Sequence, residues 1–180
     1  GLASMALAML ADRGKLDYDA PVSLYWPGFA RSGKEAMTVR TLLNHRGGLL
    51  GLDVPLSMDD VILPARAFRL LDALEAQRPV FTPERGQGYH AVTFGMYARE
   101  LFERIAGETP GVFLARELFG PLGADVSLGT SPEVDARIAT LYPPSAKTRA
   151  VNLAKAMLHA PDSTEMRVLR ETLSRDSMVR

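Results

Sequence analysis

Tyr89 and His90 stand side by side within Val80–Gly107, VFTPERGQGYHAVTFGMYARELFERIAG, and their chemistry depends on where the backbone delivers them. Pro83 removes a backbone donor, and Gly86 and Gly88 favour tight or left-handed geometry, so the first part of the stretch is expected to be a loop. From Val92 the pattern changes. Phe94, Ala98, Leu101 and Ile105 recur at helical spacing, Arg99 and Glu100 precede Glu103 and Arg104 by one turn, and Gly107 closes the run. This predicts a helix of about four turns. Tyr89 and His90 then lie where a glycine-bent loop feeds a helix N-terminus, whose unpaired amides and dipole favour negative charge. A phenol held there gains reason to act as a proton-transfer group. Because a phenol ordinarily keeps its proton to about pH 10, that role also requires a nearby cation. The plainer reading of Tyr89 is an aromatic capping the helix against the core, and residue types alone favour it.

Other chemistries leave less trace. Gly86-Gln87-Gly88-Tyr89-His90-Ala91 fits the G-x-G-x-x-G/A dinucleotide fingerprint, which needs a buried strand before it and an acidic residue closing a second strand roughly 20 residues on. Val80-Phe81 is too short for the strand, and Glu108 ends a helix. His45 has the chemistry of a general base, but its neighbours include no nucleophile, so it reads as structural. The three histidines, His45, His90 and His159, lack the spacing of a helical zinc pair, and the chain has no cysteine. Neither a metal nor a cofactor is expected. Lys plus Arg and Asp plus Glu are 21 each, so no net field gathers nucleic acid or an anionic membrane. No apolar run is long enough to span a bilayer. The expected partner is a small molecule or another protein; the sequence leaves the oligomeric state open.

The elements around Tyr89 are mostly helical. Leu2, Met5, Ala6, Met9 and Leu10 form an apolar stripe that Gly14 ends, and a chain opening without Met in mid-helix reads as a fragment. Asp19 is placed to cap a short turn from Pro21 to Tyr25, and Trp26 reads as a packing anchor. Arg31–Ala36 is expected to be a polar loop, and Thr38 to cap a helix over Val39, Leu42 and Leu43 that stops near His45. Ser57 with Asp60 fits a capping box, and Ala65–Gln77 an amphipathic helix. Thr109-Pro110 starts another helix, expected to break at Gly120-Pro121. Val126–Leu128 and Arg137–Tyr142 are the plausible strand pieces, and Ala150–Arg180 carries helical residues broken at Pro161-Asp162-Ser163.

Five of these pieces resemble, in collinear order, the serine β-lactamase-related hydrolase superfamily, and most closely its class C β-lactamase-like and family VIII carboxylesterase branch. They are LADRGKLDYDAPVSLYWPGFA, GKEAMTVRTLLNHRGGL, GYHAVTFGMYARELFERIAG, LARELFGPLGADVSLG and ARIATLYPP. The resemblance implies a mainly α chain, the helical portion of an α+β β-lactamase/transpeptidase-like fold with few short strands. Residues 1–144 would form a partial hydrolase domain and residues 145–180 a poorly matched continuation.

In that family a Ser-x-x-Lys motif opens the helix that GLASMALAML resembles, so nucleophile and lysine would fall just before Gly1. No serine in the chain has a lysine three residues on; Ser32-Gly33-Lys34 and Ser145-Ala146-Lys147 have the wrong spacing. Lys147-Thr148-Arg149 imitates the family's third motif, but without its glycine. As it stands, the chain is expected to be inactive. Tyr89 resembles the tyrosine of the Tyr-x-Asn motif, which implies a catalytic proton-transfer role. His90 and Ala91 take the other two positions and are candidate substrate-binding residues. Alanine cannot donate the hydrogen bond that asparagine gives a lactam, so an ester substrate is implied over a lactam. A non-catalytic scaffold, and a penicillin-binding or D-alanyl-peptidase relative, are the alternatives. His45–Leu49 resembles the family's His-x-Ser/Ala-Gly-Leu turn, a structural element. The compartment is open, and the esterase branch implies the cytoplasm.

Overall fold

The computed structural model describes residues 1–142 and 144–156. Its helices in chain order are α1 Leu2–Asp12, α2 Val39–Leu43, α3 Met58–Ile62, α4 Ala67–Ala76, α5 Thr93–Ala106, α6 Pro110–Leu114, α7 Gly120–Leu122, α8 Pro132–Asp135 and α9 Ala146–Ala156. Short 3-10 turns cover Val22–Leu24, Pro27–Gly33 and Pro64–Arg66. Pro161-Asp162-Ser163 and His159 lie outside the described residues.

The central helix is α5, and its ends follow the local chemistry. Gly107 leaves it in the left-handed conformation at φ 73°, and Arg99–Glu103 and Glu100–Arg104 pair across one turn at 2.7 Å. Its buried face, Thr93, Tyr97, Ala98, Leu101 and Phe102, packs against α1 and α6. In α1 the buried residues are Ala6, Leu7 and Leu10, while Met5, expected on the stripe, is exposed. Trp26, Phe29 and Tyr97 form an aromatic triad with centroids 5.4–6.1 Å apart. The triad joins the Pro27–Gly33 segment to α4 and α5: the Trp26 indole N–H donates to Glu75 Oε1 at 2.7 Å, and the Tyr97 hydroxyl to Leu74 O at 3.1 Å.

Caps set the shorter helices. Thr38 accepts from the Thr41 amide at the start of α2, Ser57 and Asp60 complete a reciprocal capping box on α3, and Thr109 caps α6. Asp19 caps nothing. A long-range partner claims its carboxylate, which takes a bidentate pair from Arg40 at 2.7 and 2.9 Å. The expected break at Gly120-Pro121 is also absent, because α6 continues through a widened π turn, Ala115–Phe119, into α7. Pro121 therefore falls in the opening turn of a restarted helix, where its missing N–H costs nothing. Neither expected strand forms at Val126–Leu128 or Arg137–Tyr142, since backbone donors there find no pairing edge. Among the described residues the β contact is one isolated antiparallel bridge, Pro21 with Thr38.

Arg31–Ala36 is an irregular, kinked segment that is nonetheless tied down. It opens on a kink, with Arg31 extended and Ser32 left-handed at φ 62°, and delivers Lys34, fully buried, to the C-terminus of α4, where Nζ donates to Glu75 O and Gln77 O at 2.7 Å each. Ser32 adds a bond to Ala76 O at 2.8 Å. Burial, with the Arg31 charge acting the same way, pushes the Lys34 ammonium down to about 8. Lys34→Met keeps the stem but leaves two helix-end carbonyls without their donor, an expected loss of about 1–3 kcal/mol. Urea unfolding measures it, and a midpoint equal to wild type would show that water replaces the ammonium.

Candidate functional site

Residues 45–49 and 80–93 form one interlocked unit, although the sequence separates them widely. The α2 helix ends with His45 in the left-handed region at φ 60°, a conformation that a β-carbon makes costly and that turns the chain back across the Tyr89 loop. Backbone bonds then tie the two segments: Val80 N to Gly48 O at 2.9 Å, Glu84 N to Arg46 O at 3.1 Å and Gly88 N to His45 O at 3.0 Å. Side chains repeat the pattern. Arg46 donates to Glu84 O at 2.6 Å and pairs with its carboxylate at 2.9 Å, and the Thr41 hydroxyl meets the same carboxylate.

Glycine serves this unit differently from expectation. Gly86 and Gly88 do not have positive φ; the left-handed residue of the loop is Glu84, at φ 69°. Gly88 instead permits close approach, since a Cβ there would lie 2.6 Å from Leu50 Cδ2. Gly48 combines both demands, with φ 69° and a hypothetical Cβ 3.0 Å from Phe81 O.

Tyr89 emerges from this clamp 74% exposed, so it does not cap α5 against the core. The apolar residues of α5 already fill that face, which leaves the phenol directed to solvent, its ring 4.9 Å from that of His45. Ala91 is also exposed, in a tight turn where its amide donates to Tyr89 O at 2.9 Å. His90 points the other way and is fully buried. Its amide donates to His45 Nδ1, and its Nε2 accepts from the Leu49 amide, both at 3.2 Å. The Thr93 hydroxyl bonds Leu49 O beside it. Thus the structure brings Tyr89, His90 and Ala91 together on one turn but sends only Tyr89 and Ala91 outward. His45, read as structural from the sequence, meets both Tyr89 and His90.

Because Nε2 of His90 accepts, the neutral ring carries its proton on Nδ1, a buried atom without a hydrogen-bond partner. Burial, followed by the neighbouring His45, pushes His90 down to about 4. Burial also lowers His45. An unfolded histidine titrates near 6.5, so between about pH 6.5 and 4 the unfolded chain binds the extra proton and the folded chain resists it. Stability from His90 is therefore present above that window and lost as pH falls through it. Allowing for screening near the surface loop, denaturant unfolding at pH 5 is expected to give a free energy on the order of 1 kcal/mol below that at pH 7. Equal values at both pH values would contradict a buried neutral imidazole.

A separate groove of about 210 Å³ runs between α3, α4 and α5, lined by Leu63, Leu71, Leu74, Met96 and Arg99 among others. Tyr89, His90 and Ala91 are not part of its lining.

Comparison with known proteins decides the family. Residues 1–165 match the sequence profile described as Beta-lactamase. The chain belongs to the Beta-lactamase family. Within it, the chain is 34% identical over 151 residues to a Mycobacterium tuberculosis protein named Esterase/beta-lactamase LipL, covering 80% of this chain and 33% of that one. A crystal structure of a family VIII carboxylesterase superposes with a TM-score of 0.73 at 37% identity, covering 79% of this chain and 39% of the other. A penicillin-binding protein homologue from Caulobacter crescentus gives 0.71 at 36% identity, covering 81% and 38%. The chain therefore spans well under half the length of these Beta-lactamase family relatives. Its mainly helical architecture is a portion of the β-lactamase/transpeptidase-like fold. Among the described residues, no helix is long and apolar enough to cross a membrane.

Proposed function

We propose that this chain is part of a serine hydrolase that cleaves small-molecule esters through an acyl-enzyme, with Tyr89 as the proton-transfer group. The observation that carries this reading is the clamp between residues 45–49 and the Tyr89 loop, which holds a phenol outward on a rigid base in a Beta-lactamase family chain. The serine and its lysine come from sequence outside residues 1–180, since no serine here has a lysine three residues on. In the reaction the serine oxygen attacks the ester carbonyl while its proton passes to the Tyr89 oxygen, the lysine ammonium stabilising the phenolate. Collapse of the tetrahedral intermediate breaks the carbon–oxygen bond, and the proton leaves with the alcohol. Water then hydrolyses the acyl-serine by the same proton path in reverse.

Ala91 borders the substrate beside Tyr89, and its methyl offers a lactam amide no donor, which favours esters. His90 acts from beneath, holding the turn. The test is a substrate panel on the full-length protein, with p-nitrophenyl butyrate against nitrocefin, and mass spectrometry for the acyl adduct. Ester turnover with an adduct outside residues 1–180 supports the proposal. Preferred nitrocefin cleavage would move the substrate class to lactams. Absence of any covalent adduct from an ester or a fluorophosphonate would favour the second reading, a scaffold that kept the fold without the chemistry, which the lack of Ser-x-x-Lys here also fits.

A further inference from the structure

We infer that His45 is a positioning residue: its Nδ1, by accepting the His90 amide, fixes the turn that presents Tyr89. This rests on the proton-transfer role proposed for Tyr89, but its structural half stands alone. Three observations converge on His45. It holds a left-handed backbone at φ 60°, a conformation uncommon outside glycine, and this turns its side chain back toward the Tyr89 loop. Its Nδ1 receives the His90 amide, the first backbone N–H after the outward Tyr89 on the way into α5. Its ring centroid stands 4.9 Å from that of Tyr89, 5.1 Å from His90 and 5.1 Å from Phe94, so a single half-buried imidazole packs against three rings around the turn.

The hydrogen-bond pattern sets the ring's chemistry. An Nδ1 that accepts places the proton of a neutral imidazole on Nε2, the opposite tautomer from His90. Losing that acceptor strands the His90 amide at the point where the chain leaves Tyr89, while the Gly88, Leu49, Ala91 and Phe94 bonds around the turn remain. Tyr89 then keeps its exposure but loses its fixed direction, and a phenol displaced by about 1 Å costs on the order of a hundredfold in rate.

Two substitutions separate side chain from backbone. Asn and Gly both accept the left-handed conformation, but in His45→Asn the amide oxygen occupies nearly the place of Nδ1, and in His45→Gly nothing does. On the 180-residue chain, long-range proton–nitrogen NMR is expected to show His45 with its proton on Nε2. Amide exchange is expected to show His90 N–H protection reduced about tenfold in His45→Gly and restored within about threefold in His45→Asn. In the full-length enzyme, kcat for the ester should fall in His45→Gly and recover in His45→Asn, with KM changed less. A His45 proton on Nδ1, or equal His90 protection in both variants, overturns the anchor. Loss of protection with kcat unchanged overturns the positioning role. Tyr89→Phe retaining full activity would instead remove the reading on which that role rests, while the amide result would still stand.

Discussion

On the proton-transfer role proposed for Tyr89, Tyr89→Phe in the full-length protein is expected to lower kcat for an ester by about a hundredfold to ten-thousandfold while leaving the fold intact. Removal of a positioned general base or acid ordinarily costs this much, and in the proposed reaction the serine proton would then have no acceptor as the carbonyl is attacked. The substitution is clean in this structure for two reasons. The phenol is directed to solvent with the residue 74% exposed, so no buried donor or acceptor is orphaned, and phenylalanine keeps the ring that stands 4.9 Å from His45. Thermal unfolding of Tyr89→Phe is therefore expected to overlay wild type. Steady-state kinetics checks the rest: kcat and kcat/KM should fall together, the signature of an interaction made in the transition state. A loss of less than about threefold would show that another group takes the serine proton, and the family resemblance would then extend to shape without this step of its chemistry.

How much of this was legible beforehand depended on whether the signal was local. The α5 boundaries, the Thr38 and Thr109 caps and the Ser57–Asp60 box all follow from residues within one turn of each other, and the structure places them where those residues imply. Tyr89 was locatable because a loop-to-helix junction can be read from Pro83 and the periodicity after Val92. Its supports were not. His45 and Glu84 adopt left-handed backbone without the glycine that would announce it, while Gly86 and Gly88, which announce it, do not adopt it. Only the packing of residues 45–49 against the loop decides which residue bears that geometry. Asp19 failed as a cap for a similar reason, since Arg40 offers its carboxylate two charge-assisted bonds where a cap offers an amide. The strands expected at Val126–Leu128 and Arg137–Tyr142 show the limit most plainly: apolar spacing can propose a strand, but only an available edge makes one. His90 reads as polar in sequence and is among the deepest side chains, because its two ring-and-amide bonds to His45 and Leu49 are what permit its burial.

Trp26→Ala is expected to cost about 3–5 kcal/mol, the range for emptying a large aromatic from a packed core. Trp26 is fully buried and meets Phe29, Tyr97 and the Arg104 guanidinium, whose carbon lies 5.1 Å from the ring centroid. The neighbours cannot close over the space. Phe29 is held by the Pro27–Gly33 turns and Tyr97 by its hydroxyl on Leu74 O, so relaxation toward the cavity would break a buried hydrogen bond. Glu75 also loses the indole donor, although its carboxylate retains Arg31 at 3.5 Å. Against a typical net stability of about 5–15 kcal/mol, such a loss removes a fifth or more, and in a chain of this size it lowers Tm by roughly 6–20 °C. Trp26→Phe, which keeps most of the volume and forfeits the N–H bond, should fall in between. Because the chain has 1 tryptophan, its fluorescence disappears with the substitution, and unfolding must be followed by circular dichroism. A Tm within about 3 °C of wild type would mean that the aromatic triad is not the junction of α4 and α5, and that the clamp on Tyr89, which is built onto the start of α5, draws its rigidity from elsewhere.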